Sequence, residues 1–115
     1  MIPGEIYWVQ LPPADGHEQF GRRPAIIIQD DFYGQSLPLV LIVPLTGAVS
    51  AARFPGTVSI APTAETGLRR PSVALVYQLR ALDRKRIQEK AGSVPPPILE
   101  AVYSALDKLT GRQRS

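Results

Sequence analysis

Apolar residues along this chain recur in short blocks bounded by proline, glycine and polar clusters, and a helical period appears only near the end. Glu5-Ile6-Tyr7-Trp8-Val9-Gln10-Leu11 is rich in β-branched and aromatic residues and stops at Pro12-Pro13, which predicts a strand over 5–11. Ala14 to Arg22 reads as a polar loop. From Pro24 to Gln29 the run is apolar, too short for a helix and followed by two aspartates, so a buried central strand is expected. Asp30 to Ser36 suggests a capped helical turn or loop. Residues 39–45 form a second buried strand that delivers Thr46 at its end. Residues 47–56 are small and aperiodic, a loop by composition. Thr57-Val58-Ser59-Ile60 alternates as a half-buried strand does, 62–71 is a further loop, and Ser72 to Leu79 is the next strong strand. The stretch 80–94 is divided: 82–86 suits one turn of helix and 87–94 an edge strand.

Ile98, Val102, Ala105 or Leu106, and Leu109 recur at helical spacing. Prolines at 95–97 suit the entrance of a helix, Glu100 its first turn and Gly111 its exit. Gly111 to Ser115 is expected to be a basic, frayed tail. Several strands joined by links too short for helical crossovers, then one helix, argue for a small, strongly bent antiparallel sheet or open barrel. One face of the helix packs on it, in a single domain over residues 1–110.

Composition narrows the chemistry. A chain of 115 residues can bury a core without a metal or disulfide to help it. It has no cysteine, which removes disulfide frameworks, thiolate nucleophiles and sulfur-ligated metals together, and a reducing cytoplasm fits that. The first residues show no basic segment leading into a long apolar run, and no stretch reaches the length of a membrane span, so an unexported protein with no membrane partner is expected. Thirteen basic against ten acidic side chains give a formal charge of +3, which permits a nucleic-acid partner without demanding one.

The possible chemistry is concentrated between Gly16 and Arg23, where the only histidine, a carboxylate, an amide and two arginines precede an apolar strand. Imidazoles titrate near neutral pH, so His17 is a candidate acid or base, or else a capping residue of its loop. Pro24 biases Arg23 towards an extended backbone that aims its side chain. Arg23 then either offers a rigid fork of donors to a phosphate or pairs with Glu18 to brace the loop. Thr46 can hydrogen-bond a phosphate or cap its own strand. Nothing in this set calls for a metal or another cofactor.

Several blocks, in order, carry a resemblance. Gly4-Glu5-Ile6-Tyr7-Trp8, Gly16-His17-Glu18-Gln19, Gly21-Arg22-Arg23-Pro24, Asp31-Phe32-Tyr33, Val43-Pro44-Leu45-Thr46, Gly67-Leu68 and Gln78-Leu79-Arg80-Ala81-Leu82-Asp83 resemble the signature blocks of the MazF/PemK family, Kid-like members included, over roughly residues 4–110. The resemblance implies an SH3-like barrel and a homodimeric, metal-independent endoribonuclease toxin. Such a toxin cuts single-stranded RNA in the cytoplasm and is held by a MazE-type antitoxin. It further implies catalytic roles for Arg23 and Thr46, with His17 as acid or base. Glu18, Gln19, Tyr77, Gln78 and Arg53 form the candidate substrate-binding set.

The chain departs from the pattern at two positions. It carries Tyr77 where many relatives have a carboxylate, and Leu75 where Kid-like members have arginine. A phenol is a poor base at neutral pH, but its hydroxyl can hydrogen-bond and its ring can stack on a base. Arg69 and Arg70 sit in a loop where they either rim an RNA groove or are plain surface charge. Two non-catalytic alternatives stand beside this reading. One is a CcdB-like gyrase poison, disfavoured because the chain ends Gly-Arg-Gln-Arg-Ser and not Trp-Gly-Ile; the other is an SH3-like RNA- or protein-binding module.

Overall fold

The computed structural model describes residues 1–112. Seven strands, β1 (Glu5–Leu11), β2 (Gly21–Ile27), β3 (Leu39–Thr46), β4 (Thr57–Ile60), β5 (Ser72–Leu75), β6 (Arg80–Asp83) and β7 (Ile87–Ser93), precede one helix, α1 (Pro96–Leu109). All pairings are antiparallel, in the order β4-β5-β3-β2-β1-β7, and β6 also pairs with β3. The turn between β6 and β7 spans only Arg84–Arg86, yet these strands pair with β3 and β1, which lie on either side of β2. A flat sheet cannot satisfy both pairings across so short a link. It therefore curls into an open barrel, as the strand pattern predicts.

Period-two alternation gives this curled sheet two apolar faces. The inner face packs Val9, Leu11, Ala25, Ile27, Val40, Ile42 and Leu82. On the other face Ile6, Ile26, Val43, Leu45 and Ala74 meet Val102 of α1, with Ile98, Leu99, Tyr103 and Leu106 around it. Side chains buried on both faces explain why β2 and β3 read as continuous apolar runs without alternation.

Three boundaries differ from the sequence expectation. β2 begins at Gly21, inside the expected polar loop, because its first residues extend the hairpin with β1 through Leu11↔Gly21, Gln10↔Arg22 and Val9↔Arg23. The expected strand 72–79 is cut at Leu75 by a 3₁₀ turn over Val76–Gln78, and residues 80–83 pair again with β3 as β6. The Val76 and Tyr77 N–H groups share the Gly56 carbonyl, at 2.9 and 3.3 Å, and the Leu79 N–H closes the turn on the Val76 carbonyl at 3.0 Å. The loop 47–56 holds a 3₁₀ turn over Val49–Arg53.

The helix starts at Pro96, with Pro95 as its cap, so Glu100 falls just beyond the first turn. Its end is closed by Gly111 N–H to the Lys108 carbonyl at 3.2 Å and Arg112 N–H to the Asp107 carbonyl at 2.8 Å, the pattern of a Schellman cap. Residues 113–115 of the expected tail lie outside the described residues. Among the described residues no helix is long and apolar enough to cross a membrane.

Candidate active site

The open end of the barrel is where the inner face turns polar. β2 and β3 pair Ile27↔Ile42 and Ala25↔Pro44. That ladder ends at Ala25↔Pro44, two residues short of Arg23 on β2 and of Thr46 on β3. Val9 flanks Arg23 on β1, and Val73 flanks Thr46 on β5. The row at these strand ends thus carries an arginine beside Val9 and a threonine beside Val73. The Arg23 Nε donates to the Phe20 carbonyl at 3.2 Å, which anchors the guanidinium from one side. No ion pair with Glu18 forms; the Phe20 carbonyl is the loop group that the guanidinium bonds. Thr46 is 6% exposed, and its Oγ1 accepts the Ala48 N–H at 3.2 Å. That bond caps the strand, and it also orients the hydroxyl so that its own proton remains to donate.

Beside this row lies a groove of about 600 Å³ lined by His17, Gln19, Thr46, Phe54, Leu75, Tyr77, Gln78 and Leu109, among others. Part of its lining is aromatic: Tyr77 and Phe54 meet edge to face with centroids 6.5 Å apart, and each is nearly half exposed. The 3₁₀ break at Val76–Gln78 is what lifts Tyr77 out of the sheet into this position.

The loop that carries His17 is held from below. The Gln78 amide donates through Nε2 to the His17 carbonyl at 3.1 Å and accepts the Gln19 N–H on Oε1 at 2.7 Å. Arg80 completes the clamp by donating to the Gln19 carbonyl at 3.2 Å, the Gln78 Oε1 at 3.2 Å and the Gln78 carbonyl at 3.4 Å. The imidazole itself is left exposed at the groove edge. Among the described residues, Gln19 Oε1 is a buried side-chain oxygen with no partner, an acceptor waiting for a donor.

The structure therefore gathers His17, Gln19, Thr46, Tyr77 and Gln78 around one groove and sets Arg23 one strand away, lining a second groove. Glu18 and Arg53 lie outside the lining of the first; Arg53 instead stacks 4.9 Å above the Phe54 ring. Sequence reasoning missed Phe54, Leu109 and Arg80. Phe54 stood in an aperiodic loop, and Leu109 shared the period of the helical core face. Arg80 lay in a stretch with no clear assignment. Among the described residues no three His, Asp or Glu side chains cluster as a metal site would require.

These features define a small open β-barrel with a C-terminal helix and two grooves, one lined by His17 and Thr46 and the other by Arg23. Residues 2–110 match the family described as PemK-like, MazF-like toxin of type II toxin-antitoxin system, and the chain belongs to that family. Endoribonuclease MazF of Staphylococcus saprophyticus is 35% identical over 107 residues, spanning 93% of this chain and 88% of that protein. The crystal structure of MazF from Deinococcus radiodurans superposes with a TM-score of 0.81 at 30% identity and covers 96% of both chains. A MazE-MazF crystal structure from the same organism matches with a TM-score of 0.76 at 30% identity, over 98% of this chain and 97% of that one.

Proposed function

We propose that this protein is a sequence-selective endoribonuclease toxin that cuts single-stranded RNA by internal transesterification, without a metal. The observation that carries this reading is a groove that brings Thr46 together with two aromatic rings and an exposed imidazole, next to a second groove lined by Arg23 and by Gly47, the residue after Thr46. Removal of the ribose 2′-OH proton lets the 2′-oxygen attack the adjacent phosphorus. The P–O5′ bond then breaks, the 5′-oxygen leaves with a proton, and a 2′,3′-cyclic phosphate remains. Negative charge grows on the phosphoryl oxygens in this step, and a positioned guanidinium is well suited to stabilise it. Arg23 takes that role, the Thr46 hydroxyl donates to the same phosphate, and His17 supplies or removes a proton. Tyr77 and Phe54 offer faces on which unstacked bases rest.

The family relationship and the MazE-MazF neighbour support an antitoxin partner of the MazE type and a homodimeric toxin. The deciding experiment incubates purified protein, in excess EDTA, with a long single-stranded RNA, with Arg23→Ala as control. Discrete cuts bearing cyclic-phosphate and 5′-hydroxyl ends, lost in the control, support the reading. Intact RNA with folded protein overturns it in favour of a non-catalytic binding module.

A further inference from the structure

The second groove, about 430 Å³, is walled by Arg22, Arg23, Arg69 and Arg70, and no carboxylate lines it. Its floor is apolar, formed in part by Trp8, Pro24, Leu45 and Leu68. The four guanidiniums are not equivalent. Arg22 lies 4.3 Å above the Trp8 ring, bonds Gln88 Oε1 at 3.0 Å and pairs with Glu89, so its charge is largely answered. Arg69 and Arg70 form no ion pair among the described residues. Arg70 lies flat against the chain at Gly47, where a Cβ would come 2.6 Å from its Nε and 2.8 Å from its Cζ. Glycine at 47 thus lets an unpaired guanidinium rest on the residue that follows Thr46.

We propose that this groove binds the sugar–phosphate backbone of the RNA outside the cleaved step, with Arg69 and Arg70 as its phosphate contacts. This rests on the ribonuclease reading above and names where the substrate strand continues. Arg23 lines this groove together with Gly47, the residue that follows Thr46. A strand whose scissile phosphate is held by Arg23 and Thr46 therefore has its neighbouring phosphates beside the unpaired arginines. An apolar floor accepts sugars and bases without reading their edges, so the groove adds affinity and not base choice.

The test compares two RNAs that share one cut site, mapped beforehand on a long transcript: a five-nucleotide form, and the same site with ten-nucleotide flanks. The wild type is expected to favour the flanked substrate by about tenfold in kcat/KM at low salt, and the R69A/R70A double variant to lose that preference. Binding of a non-cleavable 2′-O-methyl analogue of the flanked RNA, followed against salt concentration, should give a log–log slope shallower by about 1.4 in the double variant, from two phosphate contacts at about 0.7 each on a single strand. Gly47→Ala, which displaces the Arg70 guanidinium without removing its charge, is expected to lose part of the preference. An unchanged preference and slope in the double variant overturns the proposal. If the double variant loses inhibition by an acidic antitoxin peptide while its RNA slope stays at the wild-type value, the groove takes peptide and the proposal falls. If the wild type cuts neither RNA but the slopes differ as stated, the ribonuclease reading fails and the phosphate groove stands.

Discussion

Gln78 holds Gln19 by its backbone, accepting the Gln19 N–H on its side-chain oxygen at 2.7 Å across 59 residues of sequence. Its nitrogen holds the His17 carbonyl at the same time, so one amide fixes both sides of Glu18. Gln78→Ala frees this loop and is expected to lower kcat about 10- to 100-fold through misplacement of His17 and Gln19. The decrease should be much smaller in a His17→Ala background, because a clamp acting through His17 has nothing left to position. Steady-state kinetics of the four proteins check this, and additive losses count against it.

Arg23→Lys keeps the positive charge at the barrel mouth and loses the planar fork of donors. A point charge on a flexible stem cannot reproduce two aimed hydrogen bonds, so kcat is expected to fall by about 10²–10³, close to the loss in Arg23→Ala. A lysine variant with near-normal kcat would show that charge alone is needed. Thermal unfolding of both variants serves to separate catalysis from folding.

The Tyr77 ring is expected to matter more than its hydroxyl. Tyr77→Phe retains the edge-to-face contact with Phe54 and should keep a near-normal KM. Tyr77→Ala removes a stacking surface worth about 1–3 kcal/mol per base, for a rise in KM of about tenfold or more. The opposite ranking would make the phenolic hydroxyl the functional group.

The turn Thr63–Gly67 is locked on β7. Gly67 has φ +68°, and a Cβ there would lie 1.9 Å from the Ala91 carbonyl oxygen, a backbone atom that cannot swing aside. The Thr66 hydroxyl beneath it accepts the Thr63 N–H at 3.0 Å and donates to the Ala61 carbonyl at 3.1 Å. Gly67→Ala therefore combines a disfavoured backbone angle with a clash, and a loss of about 3 kcal/mol is expected, seen as a Tm lower by about 10 °C or more.

Glu5 and Lys90 join β1 to β7 at 2.6 Å. Burial alone would raise the Glu5 carboxyl, but the Lys90 ammonium, the Ile2 N–H and the N-terminal ammonium together hold it below its ordinary value. A carboxyl depressed in the folded state adds stability above its unfolded value, roughly pH 4, and loses it as pH falls through the folded value. Lys90 is raised, first by its hydrogen bond to Glu5, so its share persists below roughly pH 10 and is lost above the folded value. Glu5→Gln should lower Tm at pH 7, and the difference from wild type should vanish below about pH 3. A difference that persists in acid would mean that the amide disturbs packing and not charge.

Much of this molecule is legible along the chain. Alternation and apolar runs mark six of the seven strands, the 3.6-residue period marks α1, and the ordered blocks around His17, Arg23 and Thr46 mark the family. These are local signals: they depend on which side chains are neighbours within one strand or one turn. Two strand assignments failed where a distant group decided the outcome. Val76 and Tyr77 have strand propensity, yet the chain turns there, with both N–H groups on the one Gly56 carbonyl and the Leu79 N–H on the Val76 carbonyl. Arg22 reads as loop until Trp8 and Gln10 of β1 are set beside it.

The candidate site follows the same division. Sequence alone determined that an arginine would be aimed by Pro24 and that a threonine would end an apolar strand. Only the tertiary structure decided that the arginine lines one groove and the threonine another, since each groove is built from segments far apart in the chain. Only the tertiary fold committed Gln78 to a backbone clamp, sent Leu109 to the groove and laid Arg70 on Gly47. Each depends on contacts between residues far apart in the chain, which no local pattern encodes.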